Sequence, residues 1–445
     1  MPDIPARKRL YSIAEWRVLL DTIPGLLDLL AGDPHASGLR TLVDETWNYL
    51  GEMAVQWEEG APFVWYNLGF NPELILALGG VGRVCIEQQA VMQNTLGDPE
   101  MAHGFIDAAE SAGVPADCCS ADKAAIGAIM QGVYPEPACT VGINTPCDSQ
   151  VLSTQAMAEL SGRPFFVIDV PYYDDERTIR HVQAQLAELI PFLEEHTGYK
   201  MDFDRLRQVC DLSNQAIEKI WEWLDWRRIA PLAQSSKLVA FTLVHQILFC
   251  GTEGGVNVAA VLEQEARERH ERDERFFEER VRAVWFQDPV WTDLQIYDWM
   301  ERELGLTVPI DVFGFYAQEG LIDTTSPESM LWGLARKLVK CQPMSRQFRG
   351  NIETYIADFM HMHEAFGADC AIFAGHVACK HAWGGIGLFR EALRKAGIPL
   401  LVFEFDMFDA RITSREAIQA ELTRFIEEVV WPAKQRRLRK REASG

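Results

Sequence analysis

A chain of 445 residues that is 48% hydrophobic is long enough for two or three domains, each with its own buried core. Its 65 acidic and 42 basic residues leave a net charge of −23, which disfavours nucleic acid and anionic lipid as partners. No long apolar run occurs and the start, MPDIPARKRLYSIAEW, is polar, so neither a membrane span nor a secretory signal is expected and a cytoplasmic location is.

Residues 1–60 read as an N-terminal helical extension. A first α/β domain, 61–175, opens with APFVWYNLG (61–69) as a strand and NPELILALGG as the helix after it. ACTVGINT (138–145) reads as a second strand ending at Cys147, DSQVLSTQAMAELSG as a helix, and PFFVIDVP (164–171) as a fully buried strand. That crossover sets Cys147 at the carboxyl end of a parallel strand, the edge at which ligands bind in open α/β sheets.

Residues 176–280 read as a helical linker subdomain, with the charged EQEARERHERDERFFEERVR as a solvated helix face. A second α/β domain with a C-terminal helix fills 281–445 and repeats the theme. VRAVWFQ, TVPIDVFGF, ADCAIFAGH and IPLLVFEFD are its strands, separated by helical patterns. Cys379, in GHVACKHAWGGIG, leaves a strand as Cys147 does. The fold class is therefore α/β, with two Rossmann-like or flavodoxin-like parallel-sheet domains joined by a helical segment. The six basic residues between Lys434 and Arg441 read as a solvated, frayed helix end.

Ten cysteines without an export signal belong in a reducing compartment, as core thiols, catalytic groups or metal ligands. No CxxC pair occurs, so a zinc ribbon is excluded and any metal site must be assembled from distant loops. Iron–sulfur clusters need thiolates converging from a few directions. Cys119, before the helix SADKAAIGAIM, and Cys147 and Cys379, at strand ends, meet that need, and a helix N-terminus also stabilises a thiolate. Taken singly, each is equally a small core residue. Cys85, Cys139, Cys210, Cys250 and Cys370 lie in apolar or helical runs and read as core.

The segments DCCSADKAAIG, NTPCDSQ, FFVIDVPYYDDE and HVACKHAWGGIGLFREALRKAGIPLLVFEFDMFDAR, in that order, resemble the 2-hydroxyacyl-CoA dehydratase and benzoyl-CoA reductase family. WYNLGFNPELILALGG and VRAVWFQDPVWTDLQIYDWMERELG extend the likeness over roughly residues 60–430. The resemblance implies that Cys119, Cys147 and Cys379 bind a 4Fe–4S cluster with one non-protein ligand, with no flavin or nicotinamide. Cys118 is the rival to Cys119, and Cys341, in VKCQPMSRQFRG, matters only for a larger cluster.

The implied activity is that of an iron–sulfur subunit of a dehydratase, a lyase acting on a 2-hydroxyacyl-CoA. One-electron reduction turns the thioester carbonyl into a ketyl radical anion that expels the neighbouring hydroxyl. The same electron entering an aromatic ring gives the alternative outcome, benzoyl-CoA reduction. The implied partners are a homologous second iron–sulfur subunit, an ATP-hydrolysing iron–sulfur activator and the acyl-CoA substrate. The chain itself has no G-x-x-x-x-G-K-[ST] loop.

Near the ligands, Glu73 at a strand-to-helix turn and His376 are candidates for proton handling, as is His381 on the other side of Cys379. Each also has a plain structural reading, as a dipole-stabilising carboxylate or a satisfied histidine. Glu421 stands where the family tends to have an arginine, with Arg424 a turn later. Readings of another class are a cluster-bearing electron-transfer protein without substrate turnover and a metal-free scaffold.

Overall fold

The computed structural model describes residues 11–33 and 36–444. Its first elements are two long helices, α1 (Ala14–Ala31) and α2 (Ser37–Glu58), which pack on each other and bury Trp16, Leu19, Leu50 and Met53. The first sheet follows: β1 (Phe63–Tyr66), β2 (Gly82–Cys85), helices α3 (Pro99–Ser111) and α4 (Ser120–Gln131), β3 (Pro137–Ile143), α5 (Asp148–Ser161) and β4 (Phe165–Ile168). Long helices come next, among them α6 (Glu176–Thr197), α7 (Phe203–Arg228) and α8 (Glu253–Glu271). The second sheet comprises β5 (Val281–Gln287), β6 (Leu306–Asp311), β7 (Cys370–His376) and, after helix α9 (Lys380–Ala396), β8 (Leu400–Phe405).

Both sheets are wholly parallel and share one topology, β2-β1-β3-β4 in the first and β6-β5-β7-β8 in the second. A parallel sheet covered on both faces needs continuous apolar strands. FVWY in β1 and VRAVWFQ in β5 satisfy this, every residue of both being buried. In each sheet the strand order reverses between its first and third strands, β1 and β3 or β5 and β7. There the connections leave in opposite directions and open a crevice at the carboxyl edge.

Three expectations need correction. The segment 164–171 is not a fully buried strand: β4 is an edge strand whose Phe165 is 55% and Val167 36% exposed, because only β3 lies beside it. The strand β2 was not foreseen, because it is four residues long and carries Arg83. That buried guanidinium lies 5.1 Å over the Tyr49 ring and donates to Leu248 O. The charged run after residue 262 is not simply a solvated face. Glu265 and Arg269, both buried, pair one turn apart in α8, and Glu265 also accepts from Ser37 Oγ and the Gly38 N–H at the start of α2. At the C-terminal helix, Lys434 and Arg437 bind Asp369 at 2.7 and 3.2 Å, so this part of the basic stretch is anchored.

Small residues fix how closely α4 approaches its neighbour. A Cβ on Gly127 would run into the backbone carbonyl of Phe105 in α3. Gly127→Ala is therefore expected to destabilise the chain by about 1–3 kcal/mol through overpacking, measured by urea denaturation, whereas an unchanged midpoint would show that α3 and α4 separate freely.

Candidate functional site

The two reversal points face one cleft of about 800 Å³ including its mouth. From the first sheet, Leu68 follows β1 and Cys147 follows β3; from the second, Gln287 and Asp288 stand at the end of β5 and His376 and Cys379 at the end of β7. Asn67 pins the first reversal point open. Its amide donates to Ile143 O at 3.0 Å and Thr154 Oγ1 at 3.1 Å, and its carbonyl accepts from the Ile143 N–H at 3.2 Å. At the second, Gln287 holds a φ of 78°, a backbone strain that a non-glycine residue adopts where its surroundings over-determine it, and its amide donates to Tyr355 Oη.

Cys119, Cys147 and Cys379 all line this cleft, and each is the residue immediately before a helix: α4, α5 and α9. Burial, followed by repulsion from Asp122 and from the other two sulfurs, holds the Cys119 thiol well above its usual range. Burial and Asp122 do the same at Cys147, opposed by the backbone N–H groups of Ser149 and Gln150. Cys379 is pushed up to about 12 by burial and Asp288, opposed by the N–H groups of Ala382 and His381. First-turn N–H groups thus already face two of the sulfurs, as a thiolate requires.

Three carboxyl groups share the walls. Glu87, just beyond β2, is raised to about 8 by burial and by Asp122. Its Oε2 accepts from the Leu68 N–H and the Cys85 thiol, whereas Oε1 is buried without a hydrogen-bond partner. Asp122, in the first turn of α4, is raised to about 6 by burial against hydrogen bonds from Ser149 and Ser153, and also accepts from Gln150 at 3.0 Å. Asp288 is raised to about 7 by burial and Asp406, with Oδ2 unpartnered. These acids were missed by sequence reasoning. Asp288 was accessible to the rule that singled out Cys147, since it follows a strand already identified; Glu87 was hidden behind the unforeseen β2.

His376 is fully buried. Its Nε2 accepts from the Ser120 N–H at 3.2 Å and its Nδ1 lies 3.7 Å from Asp406 Oδ2. Burial lowers its pKa against the opposing pull of Asp406, and it ties the end of β7 to the start of α4, the helix behind Cys119. His381 also lines the cleft.

Glu73 lies elsewhere, buried in an ion pair with Lys337 and accepting from Ser213 Oγ at 2.9 Å. Cys118 does not line the cleft and sits beside the surface pair Asp117–Lys380. Cys341 is buried away from it, among Arg336, Lys337 and Arg346. Arg424 pairs with Glu421 on the surface.

Among the described residues, no three His, Cys, Asp or Glu side chains close on a single metal-ion position. The three thiols instead line one void, and in an iron–sulfur cluster each thiolate binds a different iron. Glu87 and Asp288 each leave one carboxyl oxygen without a hydrogen-bond partner on the same void. In kind, three thiols on one void are the donors that an iron–sulfur cluster takes.

Among the described residues, no helix is long and apolar enough to cross a membrane. The family described as 2-hydroxyglutaryl-CoA dehydratase, D-component, matches residues 67–429, most of the chain. The chain is similar to the (R)-phenyllactyl-CoA dehydratase alpha subunit of Clostridium sporogenes, 24% identical over 80% of this chain and 86% of that one. It is similar to a subunit of the benzoyl-CoA reductase of Thauera aromatica, 23% identical over the same shares. A shorter match, 27% identical over 22% of each chain, is to the alpha subunit of the (R)-2-hydroxyglutaryl-CoA dehydratase of Acidaminococcus fermentans.

The raised carboxyls make stability pH-dependent with a definite sign. A carboxyl whose folded value exceeds its unfolded one favours the folded chain fully below the unfolded value and loses that contribution as pH rises through the folded value. Before metal is added, Glu87→Gln is expected to shrink the drop in Tm between about pH 5.5 and about pH 8.5, a window spanning the Glu87 value of about 8. An undiminished drop would show that Glu87 is ionised in the folded chain at neutral pH.

Proposed function

The chain belongs to the 2-hydroxyglutaryl-CoA dehydratase D-component family, and from that premise we propose that it is an iron–sulfur subunit of a 2-hydroxyacyl-CoA dehydratase. The observation that carries this reading is the meeting of three helix-capping cysteines and three buried carboxyls at the carboxyl edges of two parallel sheets. Cys119, Cys147 and Cys379 would hold a 4Fe–4S cluster, leaving one iron without a protein ligand. When bound, such a group supplies a low-potential electron and a Lewis-acidic iron to a thioester carbonyl.

The chain's own residues supply the rest. Glu87 holds a proton at neutral pH, and its unpartnered Oε1 is the atom that gives it to a departing hydroxyl. Asp122, at about 6, is largely ionised at the same pH and accepts the proton lost from C3. His376 positions: by accepting the Ser120 N–H it sets the angle at which α4 presents Cys119. Apolar side chains, Trp291, Phe313 and Phe408 among them, exclude water from the remaining wall.

The family resemblance supports two protein partners, a homologous second iron–sulfur subunit and an ATP-hydrolysing activator that injects the electron. A second reading, reduction of an aromatic acyl-CoA, is favoured by the match to the benzoyl-CoA reductase chain over most of both sequences.

Anaerobically purified complex, supplied with activator, ATP and a strong reductant, is expected to eliminate water from 2-hydroxyacyl-CoA thioesters. Glu87→Gln is expected to lower turnover by about 100-fold or more, the usual weight of a general acid. Ring reduction of benzoyl-CoA without dehydration would transfer the assignment to the second reading, and a loaded complex that turns over neither class would overturn both.

A further inference from the structure

A second cavity, of about 320 Å³, lies between α7, the loop after β6 and the helix Ile352–Ala365, and it shares no lining residue with the cleft. Trp221, Leu224 and Arg228 line it at spacings of three and four, so they form one stripe along α7. Phe315 and Tyr316 come from the loop, and Phe366 follows the helix Ile352–Ala365. Trp221 Nε1 donates to Tyr316 O at 3.2 Å, which ties the loop to α7 and forms this wall before any ligand arrives.

Polar groups punctuate the aromatic lining. The Arg228 guanidinium lies 5.4 Å over the Phe366 ring and pairs through Nη1 with Asp225 at 2.8 Å. A guanidinium carries five donors, so that pair does not exhaust it. The His361 ring lies 5.7 Å from that of Phe315, and Gln318 brings an amide. Among the described lining residues there is no aspartate or glutamate, although the chain carries a net charge of −23. A cage of aromatic rings alone suits a cation. Here a guanidinium already covers one of the rings, so a cationic ligand meets like charge, whereas an anion meets Arg228 and no lining carboxylate.

Size narrows the class further. An apolar cavity of about 150 Å³ holds benzene, so this one has room for a fused ring system and more. Nucleic-acid bases are held by stacking on aromatic side chains and by hydrogen bonds to their edges. Arg228 stands two turns beyond Trp221, about 10 Å along α7, a span that a pentose and its phosphates cover. We propose that this cavity binds a purine nucleotide, with its base against Trp221 and Phe315, the base edge toward Gln318 and the phosphates at Arg228. A free nucleotide and the ADP portion of CoA present that same chemistry. The assignment stands apart from the acyl-CoA reading, because none of these residues lines the cleft.

Binding to the full chain, purified anaerobically, tests it without turnover. Isothermal titration would compare ADP, adenosine and CoA on the wild type, Trp221→Leu and Arg228→Gln. ADP is expected to bind about 10-fold or more tighter than adenosine, the weight of hydrogen bonds to a charged group. Trp221→Leu should weaken ADP and adenosine alike by about 10-fold, through lost stacking. Arg228→Gln, a change at an exposed side chain, should bring ADP toward adenosine and leave adenosine as it was. CoA binding at least as tightly as ADP, with the same response to both variants, would identify the ADP portion of CoA as the ligand; ADP binding tighter than CoA would identify a free nucleotide. ADP that does not bind at millimolar concentration, ADP no tighter than adenosine, or an ADP affinity unchanged in folded Trp221→Leu and Arg228→Gln would overturn the assignment and leave the acyl-CoA reading standing.

Discussion

Acidic groups gathered and buried in one cleft are the constraint from which the rest of this site follows. Three thiols and three carboxyls line one void. Burial, joined at most of them by neighbouring negative charge, raises the proton affinity of Cys119, Cys147, Cys379, Glu87, Asp122 and Asp288 alike. Such a set is tolerable when protonated or when offset by positive charge. No lysine or arginine stands among the described lining residues, and the fixed positive ends that the fold supplies are helix N-termini, whose dipoles are worth a fraction of a charge each. A parallel sheet brings strand carboxyl ends and helix N-termini to the same edge, and here two sheets of identical order do so at one cleft. The chemistry of the cleft is thus a consequence of the topology.

Keeping the two edges in register requires pins across the halves. The Ser120–His376 hydrogen bond lies at the cleft itself, Thr145 Oγ1 and Ser345 Oγ meet at 3.0 Å, and Arg411 reaches Asp107 at 2.9 Å. Glu73 and Lys337 form a deeply buried cross-connection of the same kind. Removing one partner of such a pair leaves an uncompensated buried charge, so this pair holds geometry more than it adds stability. Arg227 works similarly, donating from α7 to Pro309 O and Val308 O, and so fixes β6 against the long helices.

Much of this arrangement was legible in the sequence because its strands are strongly patterned. VRAVWFQ and ADCAIFAGH are continuous apolar runs bounded by helical periodicity, which is enough to place Cys379 at a strand end. The family resemblance, drawn from DCCSADKAAIG, NTPCDSQ and HVACKHAWGGIG, agrees with the family that matches residues 67–429. What escaped was short or tertiary in origin. β2 has four residues with an arginine among them, and its burial depends on Tyr49 and Leu248 from distant segments. Edge position decided that Phe165 and Val167 face outward, and composition does not encode edge position. Glu265 and Arg269 look solvated by charge count, yet α2 covers them because its first N–H groups need an acceptor.

The proposed ligand assignment is tested most directly by metal content. Anaerobic reconstitution with iron and sulfide, followed by quantitation of both, would compare the wild type with Cys119→Ala, Cys147→Ala and Cys379→Ala, and with Cys118→Ala and Cys341→Ala, whose thiols lie off the cleft. About four irons per chain, lost in the first three variants and kept in the other two, is the predicted result. An iron-free wild type, or full iron after removal of any of Cys119, Cys147 or Cys379, would contradict it.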